Sequence, residues 1–533
     1  MSPTQSQCAP QLETPPLTQP SIWLIYFVAS TEEVTVRALT PFVTSSFGRH
    51  SLTSTTTIMS SIIGGLSKLP LAKILDTWGR PQGLALSLIS WVLGFAMMAA
   101  CKNVETYAAA QVFSVMGAQA VSYCVTIFVA DTSTIRSRGL MLAFATSPYI
   151  VTTWIGGPIS DSVLDGPGWR WGFGIWAIVT PVVVVPLILL FLMNERRAKK
   201  AGLLDRPKKG FSLRTVWEYM MEVDLPGILI LAGGMALFLL PLSLYSYQDK
   251  GWESPMIISM LVVGIVMLIA FPFYEKFVAP VKFIPVHLLG DRTVLLAGIM
   301  VFFVFFNSAV WGNYFTSMLV VVWDQGVTKA TYISNIYRVG SCFSALIIGV
   351  LIRWSGRFKW VATWFAMPLM ILGVGLMIHF RLPDQSIGFV VMTQIFIAFA
   401  GGPIVIAAEM AMMVPVGREY VAVIIAILDL FGSMGTAVGS TVAAAIWTSD
   451  FKDSLGDYID DEATVEKVYM SLYTQLAYKM GDPIRDGINL AYGDTQRLMC
   501  IASVACLACG WIATWFWRDI RLGDVPQVKG TVA

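Results

Sequence analysis

The stretch W-G-F-G-I-W-A-I-V-T-P-V-V-V-V-P-L-I-L-L-F-L-M, residues 171–193, decides the fold of this chain. It is 23 residues long and contains no charged side chain. A helix needs about 20 apolar residues to cross the hydrocarbon core of a bilayer, whereas a barrel strand needs only about 9–11. The stretch therefore predicts a transmembrane helix.

Apolar runs of this kind recur along the whole sequence, and they predict about 14 transmembrane helices. Their centres lie near residues 32, 65, 91, 119, 149, 182, 236, 264, 306, 343, 370, 401, 433 and 508. The composition agrees, because only 13% of the 533 residues are charged and the mean hydropathy is +0.68. A soluble domain carries about 25% charged residues. The sequence predicts an all-α, polytopic membrane protein.

The basic residues fix an orientation for these helices. The run R-R-A-K-K, residues 196–200, begins three residues after the end of the first quoted stretch. With the N-terminus inside, 22 Lys and Arg fall on the inner side and 10 on the outer side, as the positive-inside rule expects. Both termini are therefore predicted to be cytoplasmic. The first 20 residues lack a basic n-region, so we expect no cleavable signal peptide.

One outer segment, residues 446–496, is long and acidic, with ten Asp and Glu against four Lys and Arg. Its apolar residues recur at helical spacing, which predicts an amphipathic helix lying on the outer face of the protein. These residues are Val465, Val468, Tyr469, Leu472 and Leu476.

A short internal repeat indicates two halves. I-L-D-T-W-G-R at residues 74–80 matches L-I-R-W-S-G-R at 351–357, and both end in Gly-Arg. If spans seven and eight are an inserted pair, the two loops occupy equivalent places in two parallel six-helix bundles around a central cavity. The predicted parts are a tail (1–20), an N-terminal bundle (21–194), a basic loop (195–224), an inserted helix pair (225–275), a C-terminal bundle (293–517) and a second tail (518–533).

Composition also excludes several classes of protein. The formal net charge of +2 is too small for a nucleic-acid-binding protein, and three histidines with seven scattered cysteines are too few for a metal-rich or disulfide-stapled one. The chain contains no G-x-x-x-x-G-K-[ST] loop, so an ATP-driven pump is not expected. We predict a protein that is not an enzyme and that has no cofactor and no metal site of its own.

Longer motifs resemble a known family. L-A-K-I-L-D-T-W-G-R at residues 71–80 is similar to the loop-two signature of the major facilitator superfamily, and 169–181 resembles the start of span six in its fourteen-span members. Five further motifs resemble fungal siderophore–iron transporters. They lie at residues 128–133, 147–154, 302–315, 438–448 and 494–502.

The resemblance implies import of ferric siderophore chelates driven by the proton gradient, in the cell membrane or an internal membrane. The siderophore fills the coordination sphere of the iron, so the protein would bind its organic shell. The partners implied are this small molecule, protons and the lipid bilayer, and we expect a monomer. Export of a secondary metabolite or drug stays open, because Ser147-Pro148 and Gly156-Gly157-Pro158 resemble the glycine-proline pattern of antiporters.

Charged residues inside the predicted spans are the first candidates for function, since burying one costs at least about 2.5–3.5 kcal/mol. Glu32 lies ten residues into the first span, or about 15 Å along a helix, near the middle of the membrane. Glu33 and Arg37 are four residues apart and are expected to pair along one helix face. We interpret this cluster as a site for protons and substrate, with a structural ion pair as the alternative.

Two more groups of candidates follow. Arg338, Asp429 and Glu409 lie within spans ten, thirteen and twelve, and are interpreted as coupling or cavity residues or as structural charges that pair or reach the interface. Polar and aromatic residues of span nine suit a large ligand, or else anchor the span at the interface. They are Asn307, Trp311, Asn313 and Tyr314. By resemblance to the superfamily, charge contacts at the inner gate are expected from Lys73, Asp76, Arg80, Asp131 and Arg138.

Overall fold

The computed structural model describes residues 18–522 apart from short gaps, and the described residues form helices and turns without a strand. The gaps are residues 78, 133–139, 142–143, 201–216, 218–219, 222–223, 246–247, 249, 280–285 and 417–419. Helices dominate because a backbone in hydrocarbon must satisfy its hydrogen bonds within its own segment.

The first group of helices forms an N-terminal bundle. Within it, α4 packs on α5 and α7, α1 packs on α6 and α7, and α2 packs on α5. The helices are α1 (Thr18–Ser46), α2 (Thr53–Leu66), α3 (Lys68–Thr77), α4 (Arg80–Ala100), α5 (Val104–Thr132), α6 (Tyr149–Asp165) and α7 (Trp169–Lys200). The turn of 3-10 helix His50–Leu52 joins α1 to α2 at the ends that the predicted orientation places outside, which are called the outer ends below.

Two helices that pack on each other follow, α8 (Leu225–Leu239) and α10 (Pro255–Phe277), with the short α9 (Pro241–Leu244) between them. α8 also contacts α2 of the N-terminal bundle. The outward face of α10 consists of large apolar side chains, as expected of a helix that faces lipid.

The remaining helices form a C-terminal bundle. They are α11 (Val286–Leu289), α12 (Arg292–Gly312), α13 (Phe315–Val322), α14 (Val327–Ser334), α15 (Ile336–Ser355), α16 (Met367–Phe380), α17 (Ile387–Met413), α18 (Val421–Ile446), α19 (Lys452–Tyr458), α20 (Glu462–Met470), α21 (Leu472–Ala477) and α22 (Pro483–Trp515). α12 packs on α18 and α22, and α17 packs on α15 and α16. The two bundles meet along α2 with α18, and along α6 with α14 and α15.

Eleven helical runs of the described chain are long and apolar enough to cross a membrane. Three other segments do not meet this criterion, because of their charge, an interruption or their length. α1 carries Glu32, Glu33 and Arg37, the α2–α3 segment is interrupted at Ser67, and α6 has only 17 residues. The chain is thus a multi-pass membrane protein.

The acidic outer segment is shorter and more structured than the sequence predicts. α18 continues through a π-helical turn, Trp447–Phe451, into α19, and α22 begins at Pro483. The expected amphipathic helix is two helices, because Ser471 adopts an extended conformation between α20 and α21. Its apolar residues are nevertheless mostly buried, as the spacing indicated.

One arginine holds this outer segment to the C-terminal bundle. Arg485, near the start of α22, is buried and donates to three backbone carbonyls. Its Nη2 lies 2.7 Å from the Val321 oxygen, and its Nη1 lies 2.6 Å and 2.9 Å from the oxygens of Gln475 and Tyr478. A charged donor shared among carbonyls satisfies groups at the last turns of α13 and α21 and just beyond α21, where no later N–H of the helix is available.

Two glycines set the spacing of α4 and α5. A Cβ added at Gly94 would overlap the backbone of Ser114, and one at Gly117 would overlap the backbone of Trp91. The helices therefore touch backbone to backbone, as small residues permit in membrane bundles.

We expect Gly117→Val to destabilise the protein by about 1–3 kcal/mol, because the added side chain has no space between the two backbones. The measurement is the apparent Tm of purified protein in detergent. Gly375→Val is the matched control, since no atom lies within 4 Å of its added Cβ. Equal Tm values for the two variants would contradict the backbone contact.

Candidate functional site

The candidate site is the seam between the two bundles, where polar contacts occur at three depths. At the middle depth, Arg338 of α15 pairs with Glu33 of α1, through Nη2 and Oε1. Arg37 contacts the same Glu33 oxygen at 3.3 Å. The Arg338 guanidinium also lies 4.9 Å from the ring centroid of Tyr149 in α6. One carboxylate thus links two cations and both bundles.

Exposure differs among the members of this cluster. The side chain of Arg338 is 17% exposed, whereas Glu33 is 42% and Arg37 is 63% exposed. Glu33 therefore stays accessible although it is paired. Glu32, its neighbour, is buried and faces the interior of the N-terminal bundle beside Trp91. Of the two glutamates, the structure brings Glu33 to the seam.

At the inner depth a second ion pair joins the bundles. Lys68, at the start of α3, lies 2.9 Å from Asp429 of α18, and its side chain is 9% exposed. Glu409 of α17 lies within electrostatic range of Asp429, and its Oε2 is buried without a hydrogen-bond partner. Tyr26 of α1 is near both carboxylates and bonds Thr126 at 3.2 Å. Asp429 lies nearer the Val421 end of α18 than its Ile446 end.

At the outer depth neutral hydrogen bonds close the seam. Asn313 donates to Ser54 at 2.7 Å and to Ser440 at 3.1 Å, and Ser54 donates to the Ser440 carbonyl at 2.9 Å. The Tyr314 hydroxyl donates to the Ser51 carbonyl at 2.8 Å. The bonds of Ser54 to Asn313 and Ser440, and that of Tyr314 to Ser51, cross from one bundle to the other, whereas the Asn313–Ser440 bond lies within the C-terminal bundle.

A further outer bond joins α14 to α6. Thr328 donates to the Asp161 carboxylate at 2.7 Å. The bundles therefore have polar contacts at the outer end of both their contact regions. Asn313 and Tyr314 make those near α2 and α18, and Thr328 makes that between α6 and α14.

The structure places the polar and aromatic residues of span nine in two different environments. Asn313 and Tyr314 lie on the seam, but Asn307 and Trp311 are buried inside the C-terminal bundle. The Asn307 carbonyl accepts from Ser503 of α22, and the Trp311 ring lies 4.9 Å from the guanidinium carbon of Arg381. These two residues therefore support the bundle rather than line the seam.

Of the residues predicted for the inner gate, only Arg80 has a described side chain, and it begins α4. Lys73 and Asp76 lie on α3 and Asp131 lies on α5, with side chains outside the described residues. Arg138 lies wholly outside them.

Sequence reasoning missed several seam residues. For Lys68 the sequence shows a lysine beside an apolar stretch, but no pattern in the sequence identifies Asp429 as its partner. Ser54, Ser440 and Tyr149 carried none, because serine and tyrosine are common in spans. Within the described chain, no group of three or more His, Cys, Asp or Glu side chains is arranged to hold a metal ion.

Solved structures share the fold of the chain. A bacterial homologue of the human lysosomal transporter Spinster, in an inward-facing state, aligns over 95% of this chain and 98% of its own, with a TM-score of 0.58 and 14% identity. The human organic anion transporter MFSD10 aligns over 93% of this chain and 100% of its own, with a TM-score of 0.52 and 11% identity. At such identities the likeness concerns the fold alone.

Sequence comparison identifies closer relatives. The MFS siderochrome iron transporter 1 of Ajellomyces capsulatus is 52% identical over 96% of this chain and 87% of its own length. The MFS siderochrome iron transporter D of Aspergillus fumigatus is 41% identical over 96% and 86%. The siderophore iron transporter mirB of Emericella nidulans is 36% identical over 96% and 85%.

The sequence model of the Major Facilitator Superfamily matches residues 22–282. Proteins of this superfamily are transporters and not enzymes, so the prediction that the chain is not an enzyme is confirmed. The motifs, the helical fold and these relatives agree: the chain belongs to the fungal siderophore–iron transporter family of the major facilitator superfamily.

Proposed function

We propose that this transporter imports ferric siderophore chelates by alternating access and that protons drive the import. The observation that carries the proposal is the Glu33–Arg338 pair, which joins the two bundles at mid-membrane depth while Glu33 stays accessible. Alternating access requires contacts that break and re-form as one bundle rocks against the other. A charge pair across the seam is such a contact.

The substrate class follows from the names of the relatives, which are siderochrome and siderophore iron transporters. A chelate already supplies every oxygen ligand of its iron, so its carrier needs polar and aromatic contacts to the organic shell. Glu33, Arg37 and Arg338 offer charges, and Tyr149 offers a ring beside them. Asn313 and Tyr314 bound the same seam on its outer side.

The inner ion pair is the proposed coupling site. A proton on Asp429 would release Lys68, and the contact between α3 and α18 would then open. Glu409 is the second carboxylate at this depth. Its Oε2 is buried without a hydrogen-bond partner, and a proton there would remove a charge that is costly to bury. Glu32, buried beside Trp91, is kept as a further candidate for the proton pathway.

The proposed topology has fourteen spans. The eleven long apolar helices account for eleven of these spans, and α1, the α2–α3 segment and α6 are the other three. α8 and α10 form the inserted pair between two six-helix bundles, and both termini are cytoplasmic. Lys73, Asp76, Arg80, Asp131 and Arg138 form the inner gate, and the protein acts as a monomer in the cell membrane or an internal membrane.

Export of a small metabolite is the second candidate, and one observation favours it. In α6, Gly156 lies against Val34 of α1, and Gly157 lies against Thr328 of α14. The glycine-proline segment is therefore at the seam, where the motif of antiporters would act.

Uptake of radioactive iron decides between the two directions. We expect fungal cells that lack siderophore transporters, and that express this chain, to take up at least one ferric hydroxamate saturably. A protonophore should abolish the uptake, because the driving force is the proton gradient. Cells with the empty vector are the control. If confirmed surface expression brings no uptake of any chelate tested, import is wrong and export takes its place.

Neutralising the mid-membrane pair should stop transport. We expect Glu33→Gln and Arg338→Gln each to lower uptake by about tenfold or more, because Glu33→Gln leaves Arg338 without its carboxylate and Arg338→Gln removes the charge contact between the two bundles. Arg518→Gln is the matched control, since Arg518 is 55% exposed, pairs with Asp291 at 2.9 Å away from the seam, and should change uptake by about threefold or less. Restored uptake in the double variant Glu33→Arg/Arg338→Glu would confirm an electrostatic role, whereas full activity of Arg338→Gln would refute it.

The coupling site makes a different prediction. Asp429→Asn cannot exchange a proton, so we expect it to lose accumulation of the chelate against a gradient while exchange of labelled for unlabelled chelate continues. Both rates are measured in the same cells. Asp519→Asn is the control, because Asp519 forms an exposed pair with Arg357, at 3.2 Å. Normal accumulation by Asp429→Asn would exclude Asp429 from coupling.

A further inference from the structure

A buried histidine lies in the outer closure of the seam. His50 belongs to the 3-10 turn between α1 and α2, and its side chain has no exposed surface. Its Nδ1 lies 3.2 Å from the Ser45 hydroxyl. The ring packs edge-on against Tyr314 and Trp447, with centroids 6.3 Å and 6.1 Å away. His50 comes from the N-terminal bundle, and both of these rings come from the C-terminal one.

The receiving surface is an aromatic cluster built on the π-helical turn. Trp447 stacks on Tyr314 at 4.0 Å and on Phe451 at 3.9 Å, and Tyr492 packs against both Trp447 and Phe451. The outer segment covers this cluster, and the Leu472 N–H donates to the same Ser45 hydroxyl, at 3.1 Å. His50 is thus enclosed when the outer ends meet.

The neutral imidazole fits this enclosure and an imidazolium does not. Nε2 is buried without a hydrogen-bond partner. The contacts of the ring are the Ser45 hydroxyl, the Pro41 carbonyl and the two aromatic rings, and none of them is a carboxylate. Burial lowers the pKa of His50 to about 4.

The other titratable groups on the surrounding elements have other contacts or stay exposed. Asp450 accepts from Thr495 at 2.7 Å, and Lys452 pairs with Glu466 at 2.7 Å on the surface. α2 carries no titratable side chain. Further titratable groups on these elements include Glu32, Glu33, Arg37, Arg49, Tyr314, Asp453, Asp457, Tyr458, Glu462, Lys467, Tyr469, Tyr473, Arg485, Asp486, Tyr492 and Asp494.

We propose that His50 is a proton-binding site of the outer closure: the neutral ring stabilises the closed outer seam, and the ring takes up a proton when the bundles separate there. The proposal concerns the conformational equilibrium alone. It therefore holds or fails independently of the substrate and of the direction of transport.

The sign and size of the effect follow from linkage. The pKa of the enclosed ring is about 4, and that of a solvated histidine is about 6.5. His50 therefore stabilises the closed state fully above about pH 6.5, and this stabilisation is lost as the pH falls toward 4. Between pH 7.5 and pH 5 the ratio of outward-open to outward-closed protein should rise about 30-fold.

Distances between the outer ends of the bundles measure this ratio. Asn103→Cys, in the outer turn between α4 and α5, and Asp384→Cys, in that between α16 and α17, both place a spin label at an exposed position. Pulsed electron paramagnetic resonance of the full chain in lipid nanodiscs, with the seven native cysteines replaced, gives the distance distribution at each pH. We expect the longer distance to gain population as the pH falls from 7.5 to 5.

The variant His50→Gln should keep one distribution across this range. His379→Gln is the matched control, because His379 is an exposed histidine at the outer end of α16, and it should respond like the parent. The proposal is overturned if the parent does not respond to pH, or if His50→Gln responds equally. If His50→Gln does not fold, the parent protein provides the test. A midpoint between about pH 4 and 6.5 for the rise in population of the longer distance supports the proposal. A midpoint outside that range overturns it.

Discussion

A carboxylate inside a membrane needs a cation, and in this protein the cation for Glu33 is supplied by both bundles at once. Arg37 reaches it from the same helix, and Arg338 reaches it from α15. Because lipid cannot solvate the charges, the closed seam at this depth is the arrangement in which Glu33 and Arg338 are paired. The Arg338 guanidinium also lies 4.9 Å from the ring centroid of Tyr149, so α6 also contacts this charge pair.

The seam is graded along the membrane normal. Its outer end is hydrogen-bonded: the contacts through Asn313, Ser54 and Ser440 are neutral, and Thr328 donates to the Asp161 carboxylate. Its middle and inner depths are ionic. Neutral hydrogen bonds cost little to exchange for water when the outer end opens, whereas separated charges require a proton or a charged ligand. Water can therefore replace the neutral hydrogen bonds at the outer end, whereas a proton or a charged ligand has to replace the ion pairs at the middle and inner depths.

The sequence predicts most of what depends on local pattern. The membrane class and the family are confirmed, and the four-residue spacing of Glu33 and Arg37 correctly indicated their contact. Arg338 is 305 residues away from Glu33, and no local pattern connects them.

The two misread segments have identifiable physical causes. In span nine, helical spacing would group Tyr314 with Asn307 and Trp311, but α12 ends at Gly312 and Tyr314 turns to the seam. In the outer segment, the apolar spacing is helical, yet Ser471 is extended where Leu472 bonds to Ser45. In both places a tertiary contact overrides the local period.

The placement of Arg485 has a mechanical consequence. All of its bonds go to carbonyls of the C-terminal bundle and its own outer segment, so it ties α20 and α21 to one bundle only. Toward α1 the segment has the Leu472–Ser45 bond and the contact of Tyr473 with Phe42, at 5.7 Å. The outer segment is thus bonded more extensively to the C-terminal bundle than to α1, and we expect it to stay with the C-terminal bundle when the outer ends of the bundles separate.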